Sequence, residues 1–166
     1  MRLRYTLTGL QATEALGNCL SRVLEPGSVI LLSGDLGAGK TSLTKATAAG
    51  LGIEKKEVTS PSFAIIHEHL HGHLPLIHAD LYRLGLHADI TETGLEDYLD
   101  GKNVIIIEWA EYLKEPLLET SIKIELDFID EQNREAHLSG KTEIWDERFL
   151  KLDDCMKTFL NSYIFS

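Results

Sequence analysis

The sequence predicts an α/β fold, and three observations carry that reading. Residues 28–33 and 104–107 are short, continuously apolar runs, the pattern of strands buried on both faces. Stretches with apolar residues at helical spacing alternate with them along the chain. Residues 33–42, SGDLGAGKTS, put a glycine-rich turn between the first of those strands and a helix-forming segment.

Each element follows from local pattern. Residues 2–8 alternate and read as an edge strand. Thr13 to Leu24 places Leu16, Leu20, Val23 and Leu24 at helical spacing, and Pro26-Gly27 breaks that helix. Residues 28–33 form a buried strand, and residues 40–51 form a helix that stops at Gly52. Phe63 to Leu70 and Leu74 to Ala79 flank His71-Gly72-His73 and read as a hairpin. Residues 94–99 form a short acidic helix, and Val104 to Ile107 a second buried strand. Ser121 to Phe128 alternates, Asp130-Glu131-Gln132-Asn133 turns, and a strand returns near 134–139. From about 144 to 163, Trp145, Phe149, Leu152, Met156, Phe159, Leu160 and Tyr163 recur at helical spacing, so this helix packs on the sheet or offers a docking surface.

Composition bounds the rest. A chain of 166 residues, 43% hydrophobic and 25% charged, with no repeat, linker or low-complexity segment, reads as one soluble globular domain over 1–166. No apolar run approaches the roughly 18 residues of a membrane helix, and the first residues lack the apolar stretch of a secretion signal. Cys19 and Cys155 sit in no metal or redox spacing and read as reduced thiols of a cytoplasmic protein. The net charge of −10 argues against the chain gripping nucleic acid by itself, because such binding rests on Lys and Arg neutralising phosphates.

Gly34-Asp35-Leu36-Gly37-Ala38-Gly39-Lys40-Thr41 matches G-x-x-x-x-G-K-[ST] in the strand–loop–helix setting that this motif requires. Glycines let backbone N–H groups close around an anion, and the helix starting near Lys40 and Ser42 adds its positive dipole end. Lys40 supplies a mobile charge for the β and γ phosphates, and Thr41 a hydroxyl for Mg2+. Such a loop needs a carboxylate at the end of a neighbouring apolar strand. Glu108 ends that strand, with Glu where Asp is more usual, and Trp109 follows it as a core or site residue. Thr59-Ser60-Pro61-Ser62-Phe63 fits a plain turn or a loop that senses a phosphate through a hydroxyl. His78, Asp80 and Tyr82 alternate at the end of an apolar run, so an extended chain would show all three on one side.

The combination GDLGAGKTS, TSPSF, HADLYR, GLEDYL and VIIIEWAEYL, over about residues 26–113, resembles the TsaE family. These are small bacterial P-loop ATPases required for threonylcarbamoyladenosine modification of tRNA, at the adenosine next to the anticodon. The tail beyond 120 matches only loosely. The resemblance implies a P-loop NTPase-like, mainly parallel sheet flanked by helices, with antiparallel hairpin additions. It implies ATP on the loop and Mg2+ held by Thr41 and Glu108. It implies a switch-like loop around Thr59, and Lys40, Asp80 and Glu108 as the residues that matter for hydrolysis. Tyr82, Arg83 and Trp109 would line the same region, and Gln11 would touch the adenine side. Ser62 and Ser42 stand where the family usually has Thr, and each keeps a hydroxyl. The implied partners are TsaB and TsaD, which would hold the tRNA. With no obvious arginine finger beyond Arg83, the chain reads as a weak ATPase without them, and with no transferase acceptor site in the sequence, a reset of the assembly between turnovers is the preferred role for hydrolysis.

Other features have plainer readings. His67, His69, His71 and His73 share a parity, but Gly72 marks a hairpin tip where imidazoles are normally solvated rather than metal-bound. Asp89, Glu92, Glu96, Asp97 and Asp100 read as a solvated face, or as a match for a partner's basic patch. A small-molecule P-loop kinase should carry an Arg-bearing lid, and beyond Arg83 only Arg134 and Arg148 occur, neither in such a segment. A GTPase should carry N-K-x-D, which is absent. A nucleotide-dependent assembly module is the alternative from outside enzymology.

Overall fold

A computed structural model of the chain describes all residues except 1, 87, 88, 90, 92, 114–116, 142, 165 and 166, and the backbone alone at 162–164. Glu92 of the acidic group and the Tyr163 side chain therefore lie outside the described residues. The elements run β1 (Arg2–Thr8), α1 (Gly9–Ser21), β2 (Val29–Ser33), α2 (Lys40–Gly50), β3 (Ile66–His69), β4 (Leu76–Asp80), β5 (Val104–Glu108), β6 (Ile122–Phe128), β7 (Asn133–Gly140) and α3 (Glu143–Ile164). Two 3-10 turns, Leu95–Tyr98 and Ala110–Tyr112, flank β5.

The seven strands form one sheet in the order β1-β7-β6-β2-β5-β4-β3. β6, β2, β5 and β4 are parallel, and antiparallel pairs close both edges: β3 on β4, and β7 between β6 and β1. The fold is thus a parallel core with antiparallel additions. Strand character explains the placement. β2 and β5 carry unbroken aliphatic runs and sit inside the sheet, buried on both faces. β6 alternates buried Ile122, Ile124 and Leu126 with exposed Lys123 and Glu125, as a strand with one covered face does.

All three helices join one core with the sheet face that carries Ile30, Leu32, Leu76, Val104, Ile106 and Ile122. The opposite face, with Val29, Leu31, Ile77, Ile105 and Ile107, is covered instead by Leu81, Leu95, Trp109 and Tyr112 from the turns and loops around β5. α2 lies tight on α1: a Cβ at Gly17 would come within 2.4 Å of Ala46 Cβ and 2.7 Å of the Thr47 backbone nitrogen. Only glycine allows that approach.

α1 begins at Gly9 rather than Thr13, because Thr8 ends β1 and serves as the helix N-cap. Gly9 has φ +71° and donates its N–H to the Gln132 carbonyl at 2.7 Å, a tertiary bond that helical spacing does not reveal. The cysteines are the clearest correction. Cys19 of α1 and Cys155 of α3 form a disulfide, with Cα atoms 5.8 Å apart across 136 residues of sequence, so neither is a free thiol. Their pairing depends on α3 returning to α1, which spacing along the chain cannot show.

α3 packs on the core. Trp145, Phe149, Leu152 and Met156 are buried, and the Trp145 indole donates to the Thr120 carbonyl at 2.5 Å. The apolar stripe is therefore covered within this chain. Tyr5 of β1 adds a bond to Asp153 at 3.0 Å. The predicted acidic helix is the 3-10 turn Leu95–Tyr98, with Glu96, Asp97 and Asp100 exposed. Among the described residues no helix is long and apolar enough to cross a membrane.

Candidate functional site

The glycine-rich loop joins β2 to α2, and its geometry explains its composition. Gly34, Gly37 and Gly39 have φ of +131°, +82° and +106°. At Gly34 a Cβ would also strike the Leu126 carbonyl oxygen at 2.2 Å. Lys40, the first residue of α2, is 5% exposed, and its Nζ donates to the Asp35 carbonyl at 3.0 Å and to the Gly34 carbonyl. The ammonium also lies 3.6 Å from the centre of the Trp109 ring. Burial lowers its pKa, and the nearby Glu111, Glu108, Asp80 and Asp35 oppose that shift.

Glu108 and Asp80 end β5 and β4 as register neighbours, 2% and 3% exposed. Both share the parity of Leu76 and Ile106 and so face the helices. Thr41 donates its hydroxyl to Glu108 Oε2 at 2.8 Å. Oε1 of the same carboxylate lies 2.8 Å from His78 Nε2 and 3.2 Å from Thr44 Oγ1. Asp80 accepts the Tyr82 backbone N–H at 2.9 Å on Oδ1 and the Ser60 hydroxyl on Oδ2. That second bond ties the loop around Pro61 to the strand end.

Two cavities meet at the loop. One, of about 440 Å³, is lined by Leu36, Lys40, Thr41, Ser60, Ser62, Asp80, Tyr82, Glu108 and Trp109. The other, of about 230 Å³, is lined by Leu7, Leu10, Thr13, Ala38, Glu131, Gln132 and Arg134, and both include Gly37, Gly39 and Ser42. The first offers hydroxyl and carboxylate oxygens, from Thr41 and Glu108, which suit a hard cation such as Mg2+.

Most of the residues singled out in the sequence converge here. Tyr82 lies outside β4, half-exposed, and packs on Trp109 with ring centroids 4.8 Å apart, while Trp109 stacks on Tyr112 at 5.5 Å. Three residues stand elsewhere than expected. Gln11 is exposed in the first turn of α1, and its neighbours Leu10 and Thr13 line the smaller cavity instead. Thr59 is exposed, and Ser60 and Ser62 take the place at the larger cavity. Arg83 does not line the larger cavity with Tyr82 and Trp109; its guanidinium lies 3.6 Å from the centre of the exposed Phe63 ring.

Sequence reasoning missed Thr44, Glu111 and the 131–134 turn. Glu111 Oε1 accepts the Gly34 N–H at 3.4 Å. Thr44 follows Thr41 by three residues, so helical spacing alone puts both on one face. The turn itself is predicted, but nothing local marks it as part of the site. Of the histidines, His71 and His73 are exposed, and His67 and His69 meet edge to face at 6.3 Å. Among the described residues the one group of three metal-ligating side chains is Asp127, Glu135 and His137, where Arg4 already pairs with Glu135 at 2.7 Å.

Comparison with known proteins bears on the family and the fold. The family model described as "Threonylcarbamoyl adenosine biosynthesis protein TsaE" matches residues 7–136. The tRNA threonylcarbamoyladenosine biosynthesis protein TsaE of Bacillus subtilis is 37% identical over 134 residues, 81% of this chain and 83% of that protein. Its counterpart in Treponema pallidum is 39% identical over 133 residues, 80% of this chain and 97% of that protein. The crystal structure of YdiB from Bacillus subtilis superposes with a TM-score of 0.77 at 31% identity, covering 93% of this chain and 95% of that one.

Proposed function

We propose, from the premise that this chain belongs to the TsaE family of tRNA threonylcarbamoyladenosine biosynthesis, that it binds and hydrolyses ATP with Mg2+ and does so in concert with TsaB and TsaD. The observation that carries the reading is the Thr41–Glu108 bond, which couples the first turn of α2 to the carboxylate ending the adjacent strand. A hydroxyl that donates to a carboxylate keeps its oxygen lone pairs free for a cation. When bound, Mg2+ neutralises charge developing on the phosphates.

The side chains divide the work. Loop N–H groups and the start of α2 receive phosphate oxygens, and Lys40 turns its charge from the loop carbonyls to the phosphates. Thr41 and Glu108 hold the metal. Asp80 fixes the Ser60 loop at the edge of the larger cavity, so that Ser62 meets the terminal phosphate. The smaller cavity takes the nucleoside, with Leu10 and Arg134 at its wall. A chain with charge −10 leaves the tRNA to its partners. Hydrolysis resets the assembly between turnovers.

Phosphate release by the purified chain, with and without purified TsaB and TsaD, tests the proposal. Slow release alone and strong stimulation by the pair is the expected result, since a partner-supplied transition-state contact is worth as much as about 10³–10⁵ in rate. No release under either condition would leave a nucleotide-dependent assembly module as the better account.

A further inference from the structure

Leu76–Asp80 lies inside the sheet with all five residues buried, and its run is aliphatic except at His78 and Asp80. His78 is 0% exposed, and its Nε2 lies 2.8 Å from Glu108 Oε1. Facing a carboxylate oxygen, that nitrogen carries the proton, which leaves Nδ1 as an acceptor in the neutral ring. Nδ1 is buried and has no partner among the described residues. An aliphatic side chain such as its neighbours Leu76 and Ile77 would avoid that unmet acceptor. The imidazole is thus a costly choice for the core, and its protein hydrogen bond goes to Glu108.

The other possible donor to Oε1 is divided. Thr44 Oγ1 lies 3.2 Å from Glu108 Oε1 but also 3.1 Å from the Lys40 carbonyl one turn earlier in α2. A single hydroxyl proton serves one of them at a time, and a threonine inside a helix commonly returns it to that carbonyl. The His78 N–H has no such competitor among the described residues. Oε2, by contrast, belongs to Thr41.

We infer that His78 is a positioning residue: its Nε2–H pins Oε1 of Glu108, so that Oε2 stays on Thr41 at the cavity the two residues share. The inference rests on the proposed Mg2+ role of Glu108. It assigns to His78 a geometric task, carried out by one hydrogen bond between adjacent strands.

The test compares His78→Leu, which keeps bulk and removes the donor, with His78→Gln, which keeps an N–H at similar reach. A fluorescent ATP analogue is titrated into each full-length variant with Mg2+ and with EDTA, alongside a thermal melt. In His78→Leu the gain in affinity from Mg2+ should fall by at least about tenfold, the lower end of the effect of losing one hydrogen bond to a charged group. Affinity in EDTA should stay within about twofold of wild type, because the phosphate contacts do not involve His78. His78→Gln should recover most of the gain. Should His78→Leu fail to fold, His78→Met replaces it. Equal losses in Leu and Gln, or losses as large in EDTA, would make His78 a packing residue and overturn the inference. Glu108→Gln separates the two levels of the argument. If it loses the Mg2+ gain while both His78 variants keep it, the positioning role fails and the metal reading stands. If it keeps the gain, the metal reading fails and takes the His78 role with it.

Discussion

Replacing Ser60 with alanine isolates what Asp80 does. The Asp80 carboxylate is buried, and both of its oxygens are engaged, Oδ1 by the Tyr82 N–H at 2.9 Å and Oδ2 by the Ser60 hydroxyl. That geometry describes an anchor for the 59–63 loop. Ser60→Ala removes one hydrogen bond to a charged acceptor, worth about 1.5–3 kcal/mol. The ratio of anchored to released loop then falls by about 10–150-fold, an upper bound on the loss in kcat. Asp80→Asn should do less harm. Its amide oxygen can keep the Tyr82 N–H, and its NH2 can donate to the Ser60 oxygen. Asp80→Ala removes both contacts and should do most. The assay is phosphate release at saturating Mg-ATP with TsaB and TsaD present, with nucleotide affinity as the control. If Ser60→Ala turns over at the wild-type rate while Asp80→Asn drops by about 10²–10⁴, the range for a lost general acid or base, Asp80 acts on the reacting groups and the anchor argument is refuted.

Other outcomes follow from the same geometry. Lys40→Ala should weaken nucleotide binding with or without Mg2+, whereas Thr41→Ala should weaken it only when Mg2+ is present; calorimetry under both conditions separates them. Thiol titration of the unreduced protein in denaturant should find no free cysteine, and reduction should lower the melting temperature, because a bridge across 136 residues is worth up to about 5 kcal/mol in the chain-entropy account. Two titratable thiols would contradict the Cys19–Cys155 bond. TsaB–TsaD should bind the chain more tightly with a non-hydrolysable ATP analogue than with ADP, and equal affinities would remove the nucleotide switch.

Much of the fold was legible because its signals are local. The aliphatic runs of β2 and β5, the alternation in β6 and the stripe of α3 each follow from burial on two faces, one face or one helical side. The glycine loop was legible because few residues other than glycine accept its dihedrals. What escaped was set by contacts between distant segments. Gly9 starts a helix early because Gln132 accepts its N–H, and Cys19 meets Cys155 because α3 folds back. The site shows the same division. Lys40, Thr41 and Glu108 announce themselves by motif and strand end, and Asp80 and His78 by their parity. No spacing rule puts Arg83 on Phe63 or brings the 131–134 turn to the loop, since both depend on where a turn swings after its strand ends.

The smaller cavity joins two segments far apart in the chain, residues 7–13 and 131–134, beside the glycine loop. They are held together by the end of the β1–β7 ladder, where Leu7 pairs with Arg134 and Thr8 with Asn133. β1 is an edge strand, and edge strands fray first. A nucleoside seated there would act as a rivet through the last rungs of that ladder. Its residence time would be bounded by how often β1 peels away, and its occupancy would stiffen the peeling edge. At a hundred times its dissociation constant such a ligand adds about 2.7 kcal/mol against opening. The terminal strand is then part of the grip as well as part of the sheet.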